Sequence, residues 1–239
     1  MPGFTESIEQ FYPNRYSDVS KQVFGVKKIP GNKAWVLTRK AGLLLYDIPS
    51  GGIERHPINP PEITFNWNDA FALDSGRNGE LYLLYINGVA VTNSTDRLQR
   101  FIPLSRFFED FNTRQQLPVV EELNVLRYHA DYFWIGSTEH GLAAYNPETG
   151  QSLQFRYDQG DYRSISSNHI LSISPDPRQP QQFVWIGTNG GGGVNRINLN
   201  DQSVRRFTEA QGLPNNIIYA IYPDRSGYLW MSSNRGIIR

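Results

Sequence analysis

The sequence predicts an all-β fold, a β-propeller of four-stranded antiparallel blades, about five blade equivalents in all. The first observation is a unit that recurs every 45 to 52 residues and is marked by an aromatic residue with Gly six to eight residues later. The second is that strand-like runs lie before and after each marker. Four strands in a unit of this length are typical of a propeller blade. The five markers are Trp35–Gly42, Tyr82–Gly88, Trp134–Gly141, Trp185–Gly193 and Trp230–Gly236.

Within a unit, the first strand is an alternating apolar run, best seen at residues 168–176 and 216–224. The marker aromatic lies in the second strand. The third strand follows the marker Gly, as at residues 194–197, and turn residues separate it from a fourth strand such as 204–207. A Gly at the reversal between the second and third strands permits a positive φ angle.

The repeated aromatic has a packing reason, because a wide ring at a fixed height fills the space between neighbouring blades. We therefore expect Trp134, Trp185 and Trp230 to be buried between adjacent sheets at equivalent heights. Residues 104–111 alone show helical spacing of apolar positions, which predicts a helix or turn between two blades and not a separate domain.

These units divide the chain into one propeller region, residues 1–239. An orphan fourth strand with a linker occupies residues 1–18, and its strand is Ser7 to Phe11. Either this strand completes the last blade and closes the ring with a split blade, or the chain is a partial propeller cut from a larger one, which is the alternative we favour. The predicted blades are 19–58, 66–103, 119–157 and 168–208, with an incomplete last blade at 216–239.

Composition narrows the functional classes. The 239 residues include 23 basic and 23 acidic side chains, so no charge excess favours nucleic acid or a membrane surface as a direct partner of this chain. There is no Cys. We expect no metal and no cofactor, because no phosphate-binding or calcium loop occurs and the four histidines lack the spacing of metal ligands. They are His56, His129, His140 and His169.

Residues 157–168 and 185–196 resemble the two-component regulator propeller repeat, and so do 212–216 and 227–230. The resemblance extends over residues 19–239 and is weakest around Tyr82. It implies the periplasmic sensor of a hybrid two-component system, which detects glycan fragments and switches on polysaccharide-utilisation genes. Full-length members of that family are histidine kinases. This chain contains no kinase part, so it is expected not to be an enzyme.

The resemblance thus implies a ligand-sensing propeller, non-catalytic by itself, from a sensor for polysaccharide or oligosaccharide utilisation. Two alternatives stay open: a glycan-active propeller enzyme, either a lyase or a hydrolase, and a propeller scaffold for protein interactions. The partners implied are an oligosaccharide ligand and neighbouring blades or domains of a longer sensor. A homodimer is also left open.

Loops at one mouth of the propeller are the expected binding site, because binding residues concentrate on such loops. Four residues of these loops, one in each of four blades, are the predicted polar contacts: Arg39, His140, Asn189 and Arg235. No catalytic residue is predicted. The carboxylates of Asp158 with Asp161 and of Glu121 with Glu122 are interpreted as turn formers or solvated charges, and Trp67 as a core residue. The other mouth-loop candidates are Lys40, Asn66, Glu139, Asn168, His169, Asn215, Asn216 and Asn234, of which Asn168 and Asn216 are expected to make turn hydrogen bonds.

Overall fold

A computed structural model describes residues 23–38, 42–55, 70–76, 79–93, 98–108 and 123–239. The chain divides into two compact units, residues 1–103 and 104–239. In the described ranges the architecture is a series of antiparallel sheets, each built from strands that are consecutive in the sequence. The predicted class, an all-β propeller built from antiparallel blades, is confirmed. The orphan strand predicted at Ser7 to Phe11 lies outside the described residues.

The described residues of the first unit form two four-stranded sheets, whose strand order follows the sequence. Their strands are β1 (Val23–Ile29), β2 (Lys33–Thr38), β3 (Gly42–Asp47) and β4 (Ile53–Arg55) in the first sheet, and β5 (Ala72–Ser75), β6 (Leu81–Tyr85), β7 (Gly88–Thr92) and β8 (Leu98–Pro103) in the second. Trp35 and Tyr82, the marker aromatics of these sheets, are both buried. Trp35 packs with Leu83 and Ala90 in the core between the two sheets.

In the second unit, the residues that the structure describes form three sheets, of which the third and fourth have four strands and the fifth has three. Their strands are β9 (Leu123–His129), β10 (Tyr132–Ser137), β11 (Leu142–Tyr145) and β12 (Ser152–Phe155) in the third sheet, β13 (Ile170–Pro175), β14 (Phe183–Thr188), β15 (Val194–Asn198) and β16 (Val204–Phe207) in the fourth, and β17 (Ile218–Pro223), β18 (Leu229–Ser233) and β19 (Gly236–Ile238) in the fifth.

The helical spacing at residues 104–111 corresponds to a short 3-10 helix, Leu104–Arg106. Phe107 and Phe108 follow it and are fully buried. The apolar positions therefore serve packing. A hydrogen bond also holds this segment, because Gln154 of β12 donates to the Phe107 carbonyl at 2.9 Å. Residues 109–111 lie outside the described ranges.

The core of the second unit forms where one sheet packs on the next. Trp134 and Phe155 of the third sheet share a buried cluster with Ile170, Ile173 and Ile186 of the fourth. The rings of Trp134 and Phe155 are stacked, with centroids 6.3 Å apart. Fully burying one aliphatic side chain of this size is worth about 1.5–3 kcal/mol, so such a cluster fixes the spacing of the two sheets.

The expected burial of the marker tryptophans is right for Trp134 and wrong for Trp230. Trp134 is fully buried, Trp185 is half-buried and Trp230 is 40% exposed. The rings of Trp134 and Trp185 each face the sheet that follows their own. Trp185 accordingly packs with Ile218 and Ile221 of the fifth sheet, whereas no described sheet of the second unit follows the fifth.

The indole N–H groups of the marker tryptophans donate to two kinds of acceptor near the turn between the first and second strands. The Nε1 atoms of Trp185 and Trp230 donate to Oδ2 of Asp176 and of Asp224, each at 2.8 Å. Trp134 donates instead to the backbone carbonyl of His129 at 3.1 Å. The β9–β10 hairpin reverses in two residues that both have positive φ, which leaves no turn Asp at the equivalent place.

Candidate ligand-binding face

The loops between the second and third strands of a sheet have a common internal hydrogen bond. Ser137, Thr188 and Ser233 each follow their marker Trp by three residues and donate the side-chain hydroxyl to the carbonyl of the marker Gly, at 3.0, 2.9 and 3.1 Å. This hydrogen bond joins the start of the loop to its end. The residues between it and the marker Gly therefore project from one end of the sheets, and they include His140, Asn189 and Arg235.

A second repeated contact joins these loops to the next sheet. The carbonyl of Asn168 accepts the N–H of the marker Gly141 at 3.1 Å, and its Oδ1 accepts the N–H of Tyr157 at 2.7 Å. Asn216 repeats both bonds one sheet later, with Gly193 at 2.8 Å and Glu209 at 2.7 Å. The expectation that these two residues make turn hydrogen bonds is confirmed. Each asparagine is a clamp at the boundary between two sheets.

His140 lies at the end of the third-sheet loop. Its backbone N–H donates to Oγ of Ser137 at 2.8 Å, which fixes the loop. Its imidazole is tilted against the ring of the buried Phe108, with centroids 6.2 Å apart. The side chain is half-buried, so the aromatic contact sets its direction while part of the ring remains open to solvent.

Asn189 occupies the equivalent loop of the fourth sheet. Its N–H donates to the carbonyl of His169 at 2.9 Å, and its Oδ1 accepts the N–H of Gly190 at 2.8 Å. Beside Asn189, burial lowers the pKa of the His169 imidazole below its usual 6.5. A neutral imidazole both donates and accepts hydrogen bonds, which suits hydroxyl groups.

Arg235 is an exposed residue of the fifth-sheet loop. One guanidinium nitrogen, Nη1, donates to the carbonyl of Pro214 at 2.9 Å. The adjacent Asn234 accepts the hydroxyl of Tyr219 at 2.7 Å. The Arg235 side chain is thus anchored to the loop that precedes the fifth sheet.

The three described candidates lie at the same end of three consecutive sheets, but the contacts of Asn189 and Arg235 are with their own and neighbouring loops and not with one another. These three residues form the described part of one face. The predicted contact at Arg39 lies outside the described residues. So do Lys40, Asn66, Trp67, His56 and the Glu121 and Glu122 pair.

Tyr219 is a residue of this face that sequence reasoning missed. It is 50% exposed near the start of β17, where the register shifts by one residue between Ile218 and Ala220. The same irregularity occurs in β9 and β13, so it is a repeated bulge. A bulge redirects a side chain without breaking the sheet. Only a register comparison of all the first strands would have revealed it from the sequence.

The connection from β12 to β13 also belongs to this end of the molecule. Arg206 of β16 holds it by donating to the carbonyl of Ser164 at 2.8 Å and to that of Asp161 at 2.8 Å. Asn195 and Ser166 exchange two hydrogen bonds at 2.8 and 2.9 Å. This loop is therefore rigidly attached above the fourth sheet, although Tyr162 on it is 76% exposed.

The glycine run after Asn189 is needed because this loop comes so close. A Cβ on Gly192 would lie 2.7 Å from Oγ of Ser166 and 2.5 Å from Oγ1 of Thr188, and one on Gly193 would lie 2.1 Å from the carbonyl oxygen of Phe207. Gly193 also has a φ of 70°. Backbone freedom was the expected reason for these glycines, and close packing is a second one.

The carboxylates on this loop make hydrogen bonds within its turns. Asp158 accepts the N–H of Gly160 at 2.8 Å, and Asp161 accepts the N–H of Arg163 at 2.8 Å. Both are turn formers, as interpreted from the sequence. Across the ranges that the structure describes, there is no group of three or more His, Asp or Glu side chains placed to hold a metal ion.

The fold and the mouth loops define the class of this chain, a β-propeller that presents hydrogen-bonding loops at one end of its sheets. Residues 212–235 match the family model described as two component regulator propeller. The chain thus carries this repeat, as its resemblance implied. None of the curated proteins matches the chain.

Among solved structures, the chain is similar to extracellular domains assigned to hybrid two-component systems of B. thetaiotaomicron. The domain of BT4673 is 20% identical with a TM-score of 0.65, over 94% of this chain and 28% of that one. The domain of BT3049 is 16% identical with a TM-score of 0.64, over 90% and 27%. This chain therefore spans a little over a quarter of these neighbours.

Streptogramin B lyase is also similar, at 14% identity and a TM-score of 0.63, over 93% of this chain and 70% of that one. At identities this low, the likeness to each of these structures shows the fold alone. The part of the chain that the structure describes contains no helix long and apolar enough to cross a membrane.

Proposed function

We propose that this chain is the ligand-sensing propeller portion of a hybrid two-component sensor for oligosaccharides, located in the periplasm and non-catalytic by itself. The observation that carries the proposal is the two component regulator propeller match at residues 212–235, in a chain whose fold is that of extracellular sensor domains. The repeat match supports a sensor role, and the fold agrees with one.

The mouth-loop face supports an oligosaccharide as the ligand. Its groups are an amide at Asn189, a guanidinium at Arg235 and imidazoles at His140 and His169, held by the loop contacts described above. Such groups hydrogen-bond to sugar hydroxyls without needing a charge on the ligand. Because the loops are anchored, little conformational entropy is lost when a ligand binds them.

A direct test is a glycan-array screen of the purified chain, followed by calorimetry with the glycans that bind. Replacing Arg39, His140, Asn189 and Arg235 together by Ala should abolish binding and leave the thermal midpoint nearly unchanged, since substitutions in loops usually change stability little. A matched control replaces Gln181, Asn200 and Arg225 by Ala, because they are exposed in turns at the opposite ends of the sheets. The control variant should bind like the parent.

Two outcomes would contradict this proposal in different ways. Unchanged affinity in the four-residue variant would move the site away from the mouth loops. Turnover of a bound glycan, detected by analysis of the products, would make the chain an enzyme. The similarity to streptogramin B lyase concerns the fold alone and gives no support to that second function.

A further inference from the structure

We propose that Asn189 is a site of spontaneous deamidation, through which the mouth-loop face gains a negative charge as the protein ages. Gly190 follows it in the sequence. Asn–Gly is the dipeptide in which this reaction is least hindered, because glycine carries no side chain beside its peptide nitrogen. The chain contains three such pairs, Asn78–Gly79, Asn87–Gly88 and Asn189–Gly190. Asn78 lies outside the described residues, so the structure compares the other two.

The reaction is an attack of the main chain on its own side-chain amide. The peptide nitrogen of Gly190 loses its proton to hydroxide and attacks Cγ of Asn189, which forms a carbon–nitrogen bond and closes a succinimide ring. The bond from Cγ to Nδ2 breaks, and Nδ2 leaves as ammonia with a proton from water. A second water molecule then opens the ring at either carbonyl and leaves an aspartate or an isoaspartate at this position. Water is the only co-reactant, and nothing is oxidised or reduced.

The fourth-sheet loop already holds the two reacting groups together. The N–H of Gly190 donates to Oδ1 of Asn189 at 2.8 Å, so the attacking nitrogen lies beside the carboxamide that it must attack. The N–H of Asn189 donates to the carbonyl of His169 at 2.9 Å, which fixes the residue that is attacked. Ring closure therefore starts from a contact that the folded loop maintains.

Solvent reaches this part of the loop. Gly190 and Gly191 are both exposed. Beyond the neighbours in the chain, the nearest atom to a Cβ built on Gly190 would be Oγ of Ser167 at 3.6 Å, and no atom would lie within 4 Å of one built on Gly191. Hydroxide and water therefore have access to the peptide nitrogen, and the ring has room to form.

The Asn87–Gly88 pair has the same sequence in the opposite surroundings. Gly88 begins β7, is buried, and pairs with Tyr85 on one side and with Pro103 on the other. A Cβ on Gly88 would clash with the carbonyl oxygen of Ile102. Within the described ranges, Oδ1 of Asn87 is buried and accepts no hydrogen bond, so the Gly88 N–H is not directed at it. This pair has to leave the sheet before it reacts.

Deamidation changes the hydrogen-bonding chemistry of the mouth-loop face. An amide both donates and accepts hydrogen bonds, whereas a carboxylate only accepts them and carries a negative charge. In the aspartate product, a side-chain oxygen remains as the acceptor for the Gly190 N–H. The isoaspartate product adds a methylene group to the main chain and lengthens the loop. The inference does not depend on the ligand proposed above, because it concerns the chain alone.

The test compares two peptides from one sample. The purified chain is incubated at neutral pH in water enriched in heavy oxygen, and it is then digested with pepsin in acid, which stops the reaction. Mass spectrometry should show that the Asn189 peptide exchanges ammonia for heavy oxygen at least about 10-fold faster than the Asn87 peptide, because Gly88 reacts only from an open form. In guanidinium chloride the two peptides should react at similar rates, since both contain the same dipeptide.

The matched control is Asn189→Gln, which keeps the amide but has to close a larger ring. Its peptide should stay unmodified over the same time, and anion exchange should resolve an acidic form of the aged parent that the aged variant lacks. A similar mass change in the variant peptide would place the reaction on another residue and overturn the proposal. Equally slow reaction of Asn189 and Asn87 in the folded chain would also overturn it. No glycan is used, so the failure of one proposal is separate from the failure of the other.

Discussion

The fourth and fifth sheets contain the same local arrangement in two different surroundings. In both, an Asp at the end of the first strand accepts the indole N–H of the marker Trp, and an Arg lies over the ring. Trp185 is half-buried against the fifth sheet, whereas Trp230 is 40% exposed. The comparison separates two causes: the strand and turn sequence sets the arrangement, and the neighbouring sheet sets the burial.

The largest effect expected from this comparison is on stability. The variant Trp185→Ala should lower the free energy of unfolding by about 3 kcal/mol, because it removes a ring packed between two sheets. The variant Trp230→Ala should cost about 1 kcal/mol or less, since it removes mainly an exposed surface and one hydrogen bond. Urea unfolding of the two variants beside the parent measures the difference. Equal losses would mean that Trp230 is covered in solution.

An intermediate effect is expected at the asparagine clamps. Replacing Asn168 by Ala removes the acceptor for the Tyr157 N–H and should cost about 1–2 kcal/mol. The equivalent change at Asn216, next to the less covered fifth sheet, should cost the same or less. The variant Asn216→Asp keeps an acceptor oxygen and is expected to retain most of the stability. A larger loss for the Asp variant than for the Ala variant would contradict the role of this acceptor.

The smallest expected effect is on the stability of the protein at acidic pH. Burial raises the pKa of Asp176, but hydrogen bonds from Trp185 and from backbone N–H groups outweigh burial, so the pKa lies below its usual 3.8. Backbone and Trp230 hydrogen bonds likewise lower the pKa of Asp224. A lowered pKa gives stability that is present above the usual pKa and is lost as the pH falls through the folded-state pKa.

The variant Asp176→Asn keeps the acceptor oxygen and removes the titration. It should therefore flatten the dependence of the urea midpoint on pH below about pH 4. The variant Asp224→Asn should flatten it as well, because hydrogen bonds also lower the pKa of Asp224. An unchanged pH dependence in both variants, measured between pH 6 and pH 3, would contradict the role of these hydrogen bonds.

Much of the fold could be predicted from the sequence because its causes are local. An aromatic at a fixed position, Gly at the reversal and alternating apolar residues are all visible within one repeat, and they place the strands of the third to fifth sheets. The same is true of the Asn168 and Asn216 turns. The exposure of Trp230 could not be predicted in this way, since it depends on which sheet comes next.

The candidate face was predicted less completely than the fold. His140, Asn189 and Arg235 could be placed at one end of the sheets because loop position follows from strand order. Tyr219 could not be placed there, because a bulge shifts it off the alternation that the sequence pattern assumes. Nor could the anchoring by Arg206, since a side chain that reaches another loop leaves no trace in sequence spacing.

The asparagine clamps have a consequence for how this molecule can be divided and recombined. Asn168 starts one sheet, yet its bonds fix the end of the sheet before it, and Asn216 does the same one repeat later. The segment that could be exchanged between related chains therefore does not have the same boundaries as one sheet. A graft from residue 168 to residue 215 would carry its own clamp for the preceding sheet and meet an intact one at its far end. A graft cut just before the marker Trp would split one sheet between two parents.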